Sequence, residues 1–280
     1  MSIPIDYLLI GHATADLTPN GRVLGGTVSY ASRTVHSFGL RVGVLTSAAA
    51  SEPLLDELKR FAEVRVLPAG STSTFENVYT PQGRKQYIRG VASQIGVQDI
   101  PHDWMNVPLV HLAPLTDEVD PQIAHRFPNA TVLLTLQGWL RRWGADGLVH
   151  FKRWHDPAVL NDIDIVVFSE EDIVEAPDLE QEFARTTCHL FVTRAEKGGT
   201  YYHNGAPTSY DTPQVEVVHP TGAGDVFAAS LLSALHLLKG DMAAATRVAA
   251  ALAANSVTRA GLASAPTPEE VQQVLEKVGT

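Results

Sequence analysis

The residues best suited to chemistry lie in one segment, His219-Pro220-Thr221-Gly222-Ala223-Gly224-Asp225-Val226-Phe227. Gly222 and Gly224 remove Cβ atoms where a backbone must close on something. The apolar run that starts at Val226 reads as a helix. Its unpaired N–H groups and the positive end of its dipole face the loop. Gly222, Ala223 and Gly224 therefore read as an anion hole. Asp225 sits at the helix start, where a plain N-cap carboxylate is the alternative reading. A dinucleotide fingerprint does not fit, because Phe227 stands at the third glycine position, and the absence of any Gly-Lys pair excludes a Walker loop.

The elements that position this loop alternate. Tyr7–Ile10 reads as a strand, and an Asn20-Gly21 hairpin signal follows it. A helix is predicted over 27–38, closed by Gly39, and then a strand at 42–46. The pattern continues with a helix at 52–62 and strands at 64–67, 109–112, 131–136, 163–168, 189–193 and 199–203. A further short strand is expected at Val215-Glu216-Val217-Val218. Helices at about 225–238, 241–258 and 267–277 close the chain. This order predicts an α/β fold: a three-layer α/β/α sandwich around a mostly parallel central sheet. Residues 13–24 and 73–91 carry hairpin signals that interrupt the alternation, and they read as a small β lid outside the main sheet. The whole of 1–280 is expected to form one domain.

The composition bounds the partners. The chain has 280 residues, 45% hydrophobic, with a formal net charge of −10. A surface this acidic argues against nucleic-acid and anionic-membrane binding, since a phosphate backbone needs a basic partner. The first residues lack a signal-peptide pattern, and the longest apolar stretch, 226–238, is too short to cross a bilayer. A lone cysteine, Cys188, allows no internal disulfide. A cytoplasmic protein is expected. Cys188 lies in the apolar run Cys188-His189-Leu190-Phe191-Val192 and reads as a buried strand thiol. His12 and His111 follow apolar strands and read as packed or loop residues, and no His/Cys spacing suggests zinc.

The motif Thr221-Gly222-Ala223-Gly224-Asp225 before Val-Phe resembles the C-terminal signature of the PfkB-type carbohydrate kinases of the ribokinase-like superfamily. Gly25-Gly26, followed by a helix ending in Phe38-Gly39-Leu40, resembles the N-terminal signature. Val192-Thr193-Arg194-Ala195-Glu196-Lys197-Gly198-Gly199 resembles the family's nucleotide strand and loop. Ala253-Ala254-Asn255 through Gly261 resembles its adenine-side helix and exit loop. Order and spacing agree over nearly the full length.

The resemblance implies ATP-dependent phosphorylation of a hydroxyl on a small sugar or cyclitol, with Mg2+. Asp225 would be the base, and Thr193, Gly198, Thr221 and Asn255 would hold ATP. Asp16, Gly25, Gly26 and Arg89 would hold the substrate. Asp172 would serve the metal through water, in the place of the family's Asn-x-x-Glu glutamate. A solvated Arg89 and an acidic helix start at Asp172 are the alternatives. The family's sugar-side asparagine is Tyr30 here, so plain ribose is not the expected substrate. The aromatic cluster at Trp139 and Trp143 follows a strand end and could floor the sugar site, although packing is the simpler account. The resemblance leaves open a homodimer through the lid. A nucleoside kinase or a catalytically weak sugar-sensing relative are the competing readings.

Overall fold

The computed structural model describes residues 4–80 and 83–279. Nine strands form the main sheet, in the order β15-β14-β13-β12-β9-β8-β1-β4-β5. These are β1 Tyr7–Ile10, β4 Val42–Ala49, β5 Glu63–Ala69, β8 Leu109–Leu112, β9 Thr131–Thr135, β12 Ile165–Ser169, β13 His189–Thr193, β14 Gly199–His203 and β15 Ala206–Tyr210. From β13 through β5 every neighbour is parallel, and β14 and β15 add an antiparallel hairpin at one edge. Parallel strands must be covered on both faces, which is why β1 and β8 are fully buried rather than alternating; His111, inside β8 rather than after it, is hydrogen-bonded to the Tyr7 and Thr135 hydroxyls.

One face is covered by α1 Thr27–Ser37, α5 Ala223–Leu237, α6 Met242–Ser256 and α7 Pro268–Gly279. Their core includes Leu9, Val28, Val44, Phe227, Leu231 and Val248. The other face is covered by short helical turns, α3 Pro157–Leu160 and α4 Leu179–Thr186, around Leu8, Ile10, Trp104, Trp139 and Phe183. Helix α5 lies between sheet and α6, which explains its all-round apolar sequence.

A second sheet stands apart, with the order β3-β2-β6-β7: β2 Thr14–Thr18, β3 Gly21–Gly25, β6 Thr74–Thr80 and β7 Gly83–Gly90. The expected lid segments fall on it. The turn expected at 80–83 includes Pro81 and Gln82, which lie outside the described residues.

Three chain crossings between the two sheets meet at His12. Its Nε2 donates to the Ser93 carbonyl at 2.8 Å, so Nδ1 is the acceptor. Ser73 Oγ donates to that Nδ1 at 2.7 Å and accepts from Ala92 N–H at 3.0 Å. Glu118, fully buried beside it, accepts from the N–H groups of His12, Leu115 and Thr116. A buried carboxylate is tolerated here because backbone donors surround it.

The elements depart from expectation in four places. Residues 52–62 hold only a four-residue helix, α2 Leu55–Leu58, flanked by tight i→i+3 turns such as Phe61 N–H to Leu58 C=O. Val215–Val218 is exposed coil, because β15 already occupies the sheet edge where it would have paired. The turn Asn204-Gly205, with φ of 49° and 82°, was the signal for β15. Cys188 is exposed rather than buried, since it precedes β13 instead of lying within it. The segment around Trp139 is a 3-10 turn leading into a two-stranded ribbon, β10 Arg141–Trp143 with β11 Val149–Phe151.

Candidate active site

A cleft of about 470 Å³ opens between the second sheet and the carboxyl ends of the parallel strands. Ligand sites in open α/β sheets occupy this position. Its walls come from distant parts of the chain: Asp16, Phe75 and Asn77 from the small sheet, Ser169 and Thr193 from strand ends, and Asp225 from the start of α5.

The N-cap of α5 is Gly222, with φ 89° and ψ −7°, a left-handed conformation that favours glycine. Inside the helix the first bond is Val226 N–H to Gly222 C=O at 2.9 Å. The first-turn N–H groups of Gly224 and Asp225 thus have no carbonyl four residues back. Gly222, Ala223 and Gly224 all line the cleft, so the anion hole expected from sequence faces it.

Asp225 is half-buried on the cleft floor. Removal from water pushes its carboxyl up to about 6. A hydrogen bond from Thr27 and the Arg141 charge oppose this, and the Asp172 and Asp16 carboxylates add to it. A carboxyl tuned this far remains ionised at neutral pH yet accepts a proton more readily than an exposed aspartate.

Asp16 faces the same space. Burial raises its carboxyl, while the Thr14 hydroxyl, 3.1 Å away, and the charge of Arg141 lower it. Any Cβ at Gly25 would overlap the Asp16 carboxylate, and one at Gly26 would fall 2.8 Å from the His12 carbonyl oxygen. The double glycine is therefore what lets β3 pass beneath Asp16. Tyr30 lies between the two aspartates. Burial raises its phenol strongly, and the charges of Asp225 and Asp16 raise it further.

Arg89 is not brought to the cleft. It is exposed, paired with Glu76 at 2.6 Å and laid over the Tyr87 ring. Arg141 is the cation that faces the site. The sequence reading pointed to this cluster through its place after a strand end but singled out its tryptophans. Trp139 instead packs on Trp154, with its indole N–H donating to the Val119 carbonyl. Gln137 and Arg141, flanking it, line the cleft.

The far half of the cleft is apolar. Ala250, Ala253, Ala254 and Val257 of the α6 region face Val215 and Val217 across it. The last two are exposed, at 36% and 56%. Thr193, Gly198 and Thr221 also line this region, whereas Asn255 does not. Positions 253, 254 and 257 share a helix face, and 255 is turned away from it.

Asp172 lines the cleft near Ser169 and Glu171. One oxygen accepts the Ser169 N–H at 3.0 Å and the other accepts Gln137 Nε2 at 3.0 Å. It is thus the reciprocal member of a capping box with Ser169. A carboxylate has lone pairs to spare beyond these two bonds. Asp172 and Glu171 offer the hard oxygens that a Mg2+ with its water shell accepts.

Comparison with known proteins places this arrangement. Over nearly the whole chain the fold is that of solved ribokinase-family structures. A pyrophosphate-dependent ribokinase-family kinase, complexed with a pyrophosphate analog and myo-inositol, superposes with TM-score 0.79 at 19% identity, covering 95% of this chain and 99% of that one. Arabidopsis thaliana ribokinase, complexed with ribose and ATP, gives 0.74 at 17% identity, covering 98% and 99%. The fold is ribokinase-like. Residues 156–270 match the family described as "pfkB family carbohydrate kinase". Cytidine kinase of Thermococcus kodakarensis is 24% identical over 250 residues, 82% of this chain and 88% of that protein.

Proposed function

We propose that the protein transfers the terminal phosphoryl group of ATP to a hydroxyl of a small sugar or cyclitol. One observation carries the reading: the Asp225 carboxylate, the open N–H groups of the α5 first turn and the Asp16 carboxylate all line a single cleft. The substrate hydroxyl donates its proton to Asp225 as its oxygen bonds to the γ-phosphorus. The bond from that phosphorus to the bridging oxygen breaks, and ADP leaves. A positioned base contributes about 10²–10⁴ in rate. The Gly222–Asp225 backbone stabilises charge on the transferred group, where losing one donor costs about 10²–10³. Bound Mg2+, held through water by Asp172 and Glu171, would neutralise phosphate charge.

Asp16 suits a polyol, because a carboxylate accepts two vicinal hydroxyls at once. Asn77 and Gln86, hydrogen-bonded to each other at 3.2 Å, add polar contacts from the small sheet, which acts as a lid. Leu17 and Val23 stay exposed on that sheet, and a second copy of the chain pairing through the lid would cover them. The apolar slot of Ala253, Ala254, Val215 and Val217 supports a nucleotide donor. A bare pyrophosphate has no group to fill it, whereas a purine base does.

The likeness to cytidine kinase favours a second reading, with a nucleoside as acceptor. Turnover with Mg2+ would be measured across sugars, cyclitols and nucleosides, each with ATP and with pyrophosphate. Sugar or cyclitol turnover with ATP supports the proposal. Preference for cytidine or adenosine as acceptor, or for pyrophosphate as donor, rejects that part of it.

A further inference from the structure

At the opposite end of β13 from the cleft, three metal-ligating side chains converge. His189 and His203 are directly opposed in the β13–β14 pair. Their rings stack with centroids 4.9 Å apart and planes within 10°. Cys188, just before β13, is exposed beside them. One donor atom from each of the three lies within 4.8 Å of the others. The Cys188 backbone is fixed there by Asn204, whose N–H donates to its carbonyl at 2.9 Å. The Tyr201 hydroxyl sits 2.6 Å from His189 Nδ1.

We propose that Cys188, His189 and His203 form a surface site for a thiophilic first-row divalent cation, Zn2+ by preference, with solvent completing the coordination. Thiolate and imidazole are the ligands that such ions select, and Mg2+, which wants hard oxygens, is excluded from this set. With Zn–S near 2.3 Å and Zn–N near 2.0 Å, tetrahedral donors stand about 3.3–3.6 Å apart. The three donors therefore need to draw in by roughly an ångström, within reach of side-chain rotation at the exposed Cys188 and His203. In the site, His189 Nδ1–H donates to Tyr201 and Nε2 takes the metal. A partner on the second nitrogen fixes the tautomer and the ring plane. The site is distinct from the catalytic cleft: Thr193, at the other end of β13, lines the cleft about 13 Å away at 3.3 Å per residue. It uses none of the residues assigned to phosphoryl transfer.

The test is titration of tag-free, metal-stripped protein with Co2+ alone, followed by competition with Zn2+. The expected result is one Co2+ per chain, a thiolate-to-cobalt charge-transfer band, and displacement by Zn2+. Cys188→Ser should abolish the band, His203→Ala should weaken binding at least tenfold, and Tyr201→Phe should weaken it about tenfold through the lost hydrogen bond. Kinase turnover should be unchanged in His203→Ala, and the thermal transition of each stripped variant should match the wild type. Absence of saturable one-to-one binding, a band that survives Cys188→Ser, or unchanged affinity in His203→Ala would overturn the proposal.

Discussion

The Tyr30 ring packs against the place where Gly222 lacks a side chain: a Cβ at 222 would fall 2.5 Å from Tyr30 Cδ1. Tyr30 thus braces the loop proposed to hold the anion. Gly222→Ala should hit both the contact and the left-handed backbone at φ 89°. We expect turnover to fall by about 10²–10³, the effect of a displaced donor. Gly222→Ala combined with Tyr30→Ala should recover part of it by removing the overlap. Steady-state kinetics of single and double variants measures this, and full additivity of the two losses would count against the brace.

Asp225→Asn should lose about 10²–10⁴ of turnover while keeping ATP affinity. In the wild type, kcat/KM should rise with pH through about 6, as the base ionises in the free enzyme. Stability should move the other way. Asp225 binds its proton more tightly folded, at about 6, than unfolded, near 3.8. The stability this gives is present below pH 4 and is lost as pH rises through 6. Asp225→Asn should therefore melt higher than wild type at pH 7.5, by roughly 2–4 °C for each kcal/mol relieved, and show no such advantage at pH 4. Paired thermal melts at the two pH values check it.

Arg141→Met should raise the acceptor KM strongly, whereas Arg89→Met should leave it within about twofold, because the Arg89–Glu76 pair is exposed and contributes only ~0–1 kcal/mol. Asp16→Ala should weaken acceptor binding and spare ATP. Calorimetric titration with acceptor and with ATP separates the two halves of the cleft, and a larger effect at Arg89 than at Arg141 would reverse the assignment.

Asp172→Ala should raise the Mg2+ concentration needed for half-maximal turnover. The same change opens the capping box and frees the Gln137 amide, so a small loss of stability, about 0.5–2 kcal/mol, accompanies it. A melt that shifts while the Mg2+ titration does not would assign Asp172 to capping alone.

His12→Ala should leave the Ser93 carbonyl and the Ser73 hydroxyl without their buried partner, at about 1–3 kcal/mol for each group left unsatisfied. Amide exchange should then quicken at residues 70–93, ahead of the main sheet. Uniform change across the chain would show that His12 acts only on global stability and not on the crossings between the two sheets.

Much of this protein is determined locally and was legible in its sequence. Strand and helix patterning reaches only a few residues along the chain, and it placed β8, β13, β14 and α5 within a residue or two. Gly222 and Gly224 announced a tight loop, although only Gly222 needs its missing side chain, since a Cβ at Gly224 would meet nothing within 4 Å, and the helix after them gave that loop its polarity. The two hairpins stood out because a parallel sheet has no room for them. What the sequence could not settle depends on contacts between distant segments. The sequence pointed to Arg89 as the substrate-side cation, and only packing turned Arg141 toward Asp16 and left Arg89 with Glu76 and solvent. Val215–Val218 has strand-forming residues, but a strand needs an edge, and β15 had taken it. Cys188 and His203 are fifteen positions apart, with no ligand spacing between them, and become neighbours only through the antiparallel register of β13 and β14. The carboxyl of Asp225 acquires its proton affinity from the surrounding removal of water, a property of the assembled cleft that no stretch of chain possesses alone.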